Sequence, residues 1–335
     1  MSTVSREPFS FCAFAFYWFL KPDSPQTKNP LTLKKKPSDQ STSLTSPQSQ
    51  LVRPIHLKFS RRLLHVRVAF NMDSGGIDSD GREFKNAEEM WREEVGEADP
   101  MKKSQWYSQG IAYWQGVEAT VDGVMGGYEN INVADIEASE AFLNTLLSER
   151  FPDAGRGQKL VALDCGSGIG RISKNLLIRY FNEVDLLEPV PHFLDAARTN
   201  LAPENLMVME NRAVNFFGVP LQWCIGHLSD DDFVSFFKRA LVGLKTGGLF
   251  VLKENIARSG FVLDKEDKSV TRSHLYFKQL FKQCGLNVYK MKNQKGLPDG
   301  LFAVKMYALS AESPQRVGIT RSAKMKLIRP GIIID

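Results

Sequence analysis

The 335-residue chain is poor in the side chains that build metal and disulfide frameworks, with four cysteines (Cys12, Cys165, Cys224, Cys284) and five histidines. The cysteines are scattered, without paired metal-ligand spacing or the dense pattern of a secreted scaffold, which points to a reducing compartment. Long apolar runs are also missing. The most apolar stretch, Phe9 to Leu20, has twelve residues, whereas a spanning helix needs roughly 20. Nor is there a basic stripe in the body of the chain: of the formal +5 charge, residues 1–71 carry eleven Lys or Arg against three acids, so the remainder is net acidic. No membrane and no direct nucleic-acid contact is expected.

What is present divides the chain into four parts. Residues 1–71 pass from a Phe-rich run into Ser/Thr/Pro/Lys-rich sequence and end in "RRLLHVRVAF". That acid-poor, arginine-bearing composition is that of an organelle transit peptide, or of a disordered tail preceding a start at Met72. Residues 72–155 read as a helical amino-terminal segment, 156–310 as the main domain, and 311–335 as a basic tail. With 43% hydrophobic residues the chain can bury a sizeable core.

Helical patterns come first. "NAEEMWREEV" opens on an Asn cap with early acids, and "SQWYSQGIAYWQGV" sets Trp106, Tyr107, Ile111, Tyr113 and Trp114 at spacings that share a helix face. "TVDGVMGGY" is a glycine-rich loop, and "DIEASEAFLNTLLSERF" is an amphipathic helix. From Lys159 strands and helices alternate: "KLVALDCG", "EVDLLEP", "AVNFFGVPL" and "GGLFVLKENIA" as strands, with "GRISKNLLIRYF", "VPHFLDAARTNL", "DDDFVSFFKRALVGLK" and "SVTRSHLYFKQLFKQCG" as helices. "LNVYKMKNQ" and "LFAVKMYALS" close the sheet. The expected class is α/β, a mostly parallel Rossmann-like sheet with helices on both faces.

The first strand runs into "DCGSGIGR", in which Asp164, Gly166, Gly168 and Gly170 form D-x-G-x-G-x-G. Glycines there permit a tight turn and let a cofactor lie against bare backbone. A dinucleotide fingerprint calls for glycine where Arg171 stands, so the spacing favours S-adenosylmethionine over NAD. Glu188 ends the next strand, placed to accept hydrogen bonds from a ribose. Metal is not expected: Cys224 and His227 are three apart with no second pair to complete a tetrahedral set.

"TVDGVMGGY", "LDCGSGIGRISKNLL", "WCIGHLSD", "KENIA", "GFVLDKEDKSVTRS" and "LPDGLFAVKMYAL" together resemble the alpha-N-terminal protein methyltransferases, in order, from about Gln105 to Leu309. The lead-in "MDSGG...REFKNAEEMWREE" resembles the plant branch. The resemblance implies S-adenosylmethionine-dependent methylation of the alpha-amine of proteins beginning Xaa-Pro-Lys, with ribosomal or chromatin proteins as partners, in cytoplasm and nucleus, or in a plastid if the extension is a transit peptide. It further implies that Gly166, Arg171, Glu188, Leu221 and Gln222 hold the cofactor, with Tyr113 and Met125 lying over it as part of an amino-terminal lid. Trp223 is implied to wall the slot for the substrate proline, Asn255 to bond the peptide backbone, and Asp264 to meet the substrate lysine. Trp114 and Phe302 join the substrate side, and His227 and Asp267 flank the amine as the deprotonating pair.

Taken alone, Trp223 reads as core, "DKEDK" as a solvated loop and His227 as a structural histidine; the family context turns each towards function.

One departure is large. The family has a loop and a whole strand before its W-x-x-G-H segment, whereas here "FFGVPLQ" runs directly into "WCIGHL". A fourth, central strand is therefore expected to be absent. Either "FGVPLQWCI" is recruited in its place, or the sheet has a gap of unpaired backbone groups that destabilises the fold. An impaired isoform that acts only by binding is the alternative to an active enzyme.

Overall fold

The computed structural model describes residues 75–97, 99–152, 160–201 and 216–312. The expectations for the basic extension and the tail lie outside these residues. Among them no helix is long and apolar enough to cross a membrane.

The amino-terminal segment holds β1 (Gly76–Asp78), β2 (Glu83–Phe84), α1 (Ala87–Glu94), α2 (Pro100–Gln115), α3 (Val121–Val124) and α4 (Asn132–Arg150). As expected, Asn86 caps α1 by accepting from the Glu89 N–H at 2.9 Å. The two short strands were not anticipated. They pair with the hairpin of β7 (Phe261–Asp264) and β8 (Ser269–Arg272) in a small sheet of order β2-β1-β7-β8, with β1 parallel to β7. "SVTR" was read as the start of a helix. It is β8 instead, because its β-branched Val270 and Thr271 pair with Leu263 and Val262, and Ser273 then caps α8 (His274–Gln283).

The main sheet comprises β3 (Val161–Cys165), β4 (Glu183–Leu187), β5 (Phe216–Gln222), β6 (Leu244–Ile256), β9 (Asn287–Asn293) and β10 (Ala303–Ser310). Its order is β4-β3-β5-β6-β10-β9. The first four strands are parallel and the last two antiparallel. Of the helices, α5 (Arg171–Asn175) is a single short turn, not the long helix expected; α6 (Pro191–Asn200) and α7 (Asp230–Gly243) match their patterns. Ser229 caps α7, whose first turn holds Asp230, Asp231 and Asp232, where the helix dipole favours negative charge.

Among the described residues no gap opens where the missing strand was expected. The strand read as third in the alternation, β5, sits centrally between β3 and β6, so recruitment is the outcome. It fits imperfectly. Pro220 has no N–H to give to a ladder, and β5 registers with β3 only at Gly218 and Leu221, whereas β3 meets β4 at five residue pairs. A small apolar cavity lies against β5, lined by Gly218, Pro220, Leu221, Phe142, Phe181 and Met306.

Candidate active site

Every parallel strand of the main sheet delivers its carboxyl end to one edge, and the main cavity lies there. The turn after β3 makes its floor. Gly166, Gly168 and Gly170 all have positive φ (66°, 53° and 74°), which side-chain-bearing residues rarely adopt. A β-carbon on Gly166 would stand 2.4 Å from the Cβ of Cys224, so only glycine lets the first turn pass the segment after β5. Gly168 donates its N–H to Glu188 Oε2 at 2.7 Å, and the other carboxylate oxygen accepts from Val190 N–H at 2.9 Å. Burial nevertheless pushes the Glu188 pKa up to about 7. Asp164, buried below the turn and bonded by the Ser173 hydroxyl at 2.7 Å, is raised by burial to about 6.

Behind this floor lies a polar hub that the sequence did not reveal. Asp135 of α4 is fully buried and accepts from Arg171 Nη1 at 2.8 Å and from Gln222 Nε2 at 2.9 and 3.0 Å, and it pairs with Lys253. Burial favours its neutral form, but Lys253 and Arg171 outweigh burial and hold its pKa below the ordinary value. The hub orients Arg171 and Gln222, both of which line the cavity. Arg171 stacks over Trp223 at 5.6 Å and retains donors beyond Nη1, while Gln222 keeps its carbonyl as an acceptor.

Trp223 follows β5 at φ 51°, a strained conformation that marks a turn out of the sheet. The next residues form a short 3₁₀ turn, Ile225–His227, whose leading N–H groups are held by buried Glu254: Cys224 and Ile225 donate to its Oε1 at 2.9 and 3.1 Å. That cap places His227 at the cavity. Its Nδ1 lies 3.1 Å from the Lys268 carbonyl, which can only accept, so Nδ1 carries the proton. Its Nε2 then accepts from the Trp114 indole N–H at 3.2 Å. Both imidazole nitrogens are engaged.

Asp267 precedes Lys268 in the β7–β8 turn. Burial raises its pKa against the opposing pull of His227, and its Oδ1 is buried with no hydrogen-bond partner. The turn approaches α2 closely at Gly110, where a β-carbon would stand 3.2 Å from the Asp267 carbonyl oxygen.

The cavity therefore brings together Gly166, Arg171, Glu188, Gln222, Trp223, His227 and Trp114 of the residues named from sequence. Leu221 is buried behind it, in the core. Met125 is buried and Tyr113 is 36% exposed, and neither lines the cavity; Tyr113 instead faces the acids of the 264–267 turn, which, after burial, raise its pKa. Asn255, Asp264, Asp267 and Phe302 also lie outside the lining, Asp264 and Phe302 being exposed and Asp267 sitting next to the lining residue Lys268. The functional residues that sequence reasoning missed are Asp135, Lys253, Glu254 and Lys268. Only Asp135 carried a signal, as an acid among the apolar positions of an amphipathic helix.

The residues fit S-adenosylmethionine. The bare Gly166–Gly168 backbone, a ribose-side carboxylate and two cavity-lining polar atoms with no partner in the chain, Ser167 Oγ and Trp223 Nε1, are what such a group needs. Among the described residues no group of three or more His, Cys, Asp or Glu is arranged to hold a metal.

This sheet and site define an S-adenosylmethionine-dependent methyltransferase. A structure of such an enzyme from Leishmania major agrees, at 39% identity and TM-score 0.62, covering 72% of this chain and 97% of that one. The model of a family described as AdoMet dependent proline di-methyltransferase matches residues 102–310, and the chain belongs to that family. Alpha N-terminal protein methyltransferase 1 of Arabidopsis thaliana is 61% identical over 278 residues, covering 78% of this chain and all of the relative. N-terminal Xaa-Pro-Lys N-methyltransferase 1-B of Xenopus laevis is 35% identical, covering 62% of this chain and 96% of the relative.

Proposed function

We propose that the chain methylates the alpha-amino group of proteins whose exposed amino terminus reads Xaa-Pro-Lys, with Asp267 as the proton acceptor and His227 beside it as the group that narrows the amine's approach. The observation that carries this reading is the unpartnered, buried Oδ1 of Asp267 beside a histidine whose two nitrogens are already bonded.

An alpha-amine with a reference pKa near 7.7–8.0 is substantially protonated at neutral pH and cannot attack until it loses that proton. Asp267 Oδ1 takes it, and its raised pKa makes it a better base than an ordinary carboxylate. His227, its Nδ1–H given to the Lys268 carbonyl, packs edge-on against Trp114 at 6.1 Å and keeps the amine's approach narrow. Bound S-adenosylmethionine supplies a methyl group on a positively charged sulfur. Glu188 would hold its ribose, while Gly166, Arg171 and the Gln222 carbonyl would receive its methionine portion. Trp223 offers a flat wall to the substrate proline, and the exposed Asp264 offers a carboxylate to the lysine.

The test is mass spectrometry of a Ser-Pro-Lys peptide after incubation with S-adenosylmethionine and the whole chain, beside an amino-terminally acetylated copy. Methyl gain on the free peptide alone is expected. Gain on both peptides, or on neither, overturns the reading.

A further inference from the structure

We infer that residues 75–97, which precede the family match beginning at residue 102, are a brace that sets the position of the β7–β8 turn, with Glu94 as its positioning residue. This rests on the proposed role of that turn in receiving the peptide amine.

The brace is built in three ways. By backbone, β1 adds a parallel strand to β7, pairing Gly76, Ile77 and Asp78 with Phe261, Val262 and Leu263, and the Ser79 N–H continues the ladder to the Leu263 carbonyl at 2.8 Å. The fit is close: a β-carbon on Gly76 would meet the Phe261 carbonyl oxygen at 2.5 Å. By packing, Phe84, Ala87, Met90, Trp91 and Val95 are buried in the same core as Phe261, Leu263 and Val270. Trp91 meets Trp106 of α2 edge-on at 5.3 Å, and the guanidinium of the fully buried Arg272 of β8 lies 5.6 Å from the Trp91 ring.

By charge, Glu94 Oε2 stands 3.4 Å from Lys268 Nζ, with both side chains mostly shielded (20% and 16% exposed). Lys268 is where the turn is most demanding. Its φ is 56°, its carbonyl receives the His227 Nδ1–H, and it follows Asp267 directly. A non-glycine backbone in that conformation relaxes unless held. The ion pair, with Trp106 beneath the Lys268 ammonium at 5.7 Å, holds it. A segment that the family match does not include thus reaches, through one lysine, the two groups assigned to the substrate amine.

Glu94→Gln in the full chain separates this from a general stabilising role. Amide hydrogen exchange at residues 264–269 is expected to quicken about 5-fold, and the KM for the Ser-Pro-Lys peptide to rise by a similar factor, while the Kd for S-adenosylmethionine stays unchanged. Glu94→Asp restores part of both losses. Unchanged exchange at 264–269, or an equal quickening across β3 and β6, overturns the brace. Exchange reports on the brace even if wild-type protein leaves the peptide unmethylated, a result that would instead count against the proposed function.

Discussion

Strand β6 has two neighbours of different quality. On one side β10 meets it at seven successive residue pairs from Ala303↔Ile256 to Leu309↔Phe250, without a break. On the other, β5 meets it at six pairs with a shift after Phe216, and carries Gly218 and Pro220 over a small cavity. The well-paired side buries Met306, Tyr307, Ala308 and Leu309 and contributes nothing to the main cavity. The poorly paired side ends in Gln222, Trp223, Cys224 and His227, all of which line it. Scaffold and cavity wall are thus divided across one strand, and the irregular flank is the one that lines the cavity.

The largest expected effect is on the site flank. Asp267→Asn removes the proposed proton acceptor without changing shape and lowers kcat about 10²- to 10³-fold, with peptide KM changed far less; steady-state kinetics check this, and equal kcat would overturn the role given to Asp267. On the scaffold flank, Tyr307→Ala empties a buried site packed against Phe277 and Phe281 and costs about 3–5 kcal/mol in denaturant unfolding.

A third effect follows from the buried acids around the site. Glu188 and Glu254 keep their protons to about pH 7 when folded, against an ordinary value of 4.5, so the folded state binds more protons in that window. Stability of the cofactor-free protein therefore falls as pH rises from about 4.5 to 7. Added S-adenosylmethionine, whose ribose hydroxyls would donate to the ionised Glu188, restores more at pH 7.5 than at pH 5.5; melting curves at both pH values show it. The smallest effect sharpens the contrast between the flanks: Pro220→Val returns one N–H to the β5 ladder and adds apolar volume next to the cavity, and raises stability by about 1 kcal/mol.

Much of this was legible because it is local. The glycine turn, Glu188 at a strand end, the caps at Asn86 and Ser229 and the periods of α6 and α7 are set by residues a few positions apart. The Asp135 hub was not legible, since its partners Arg171, Gln222 and Lys253 lie 36, 87 and 118 residues away and share no spacing. Strand β8 was hidden for a related reason: "SVTR" abuts a true helix, and only pairing with β7 decides its state. The place of β5 was left open between two outcomes, because a strand's position in a sheet depends on which neighbours it pairs with and not on its own pattern. Tyr113 and Met125 were named through resemblance, and the geometry gives them no part of the cavity wall.

The central claim is that β5 both closes the sheet and carries the site. Amide hydrogen exchange at Leu221 and Gln222, read against Leu163 of β3 and Leu252 of β6, tests it most directly. The account predicts that Leu221 and Gln222 exchange only through opening of the whole sheet, at rates near those of Leu163 and Leu252. Exchange of Leu221 and Gln222 within seconds, while Leu163 and Leu252 stay protected, would contradict it.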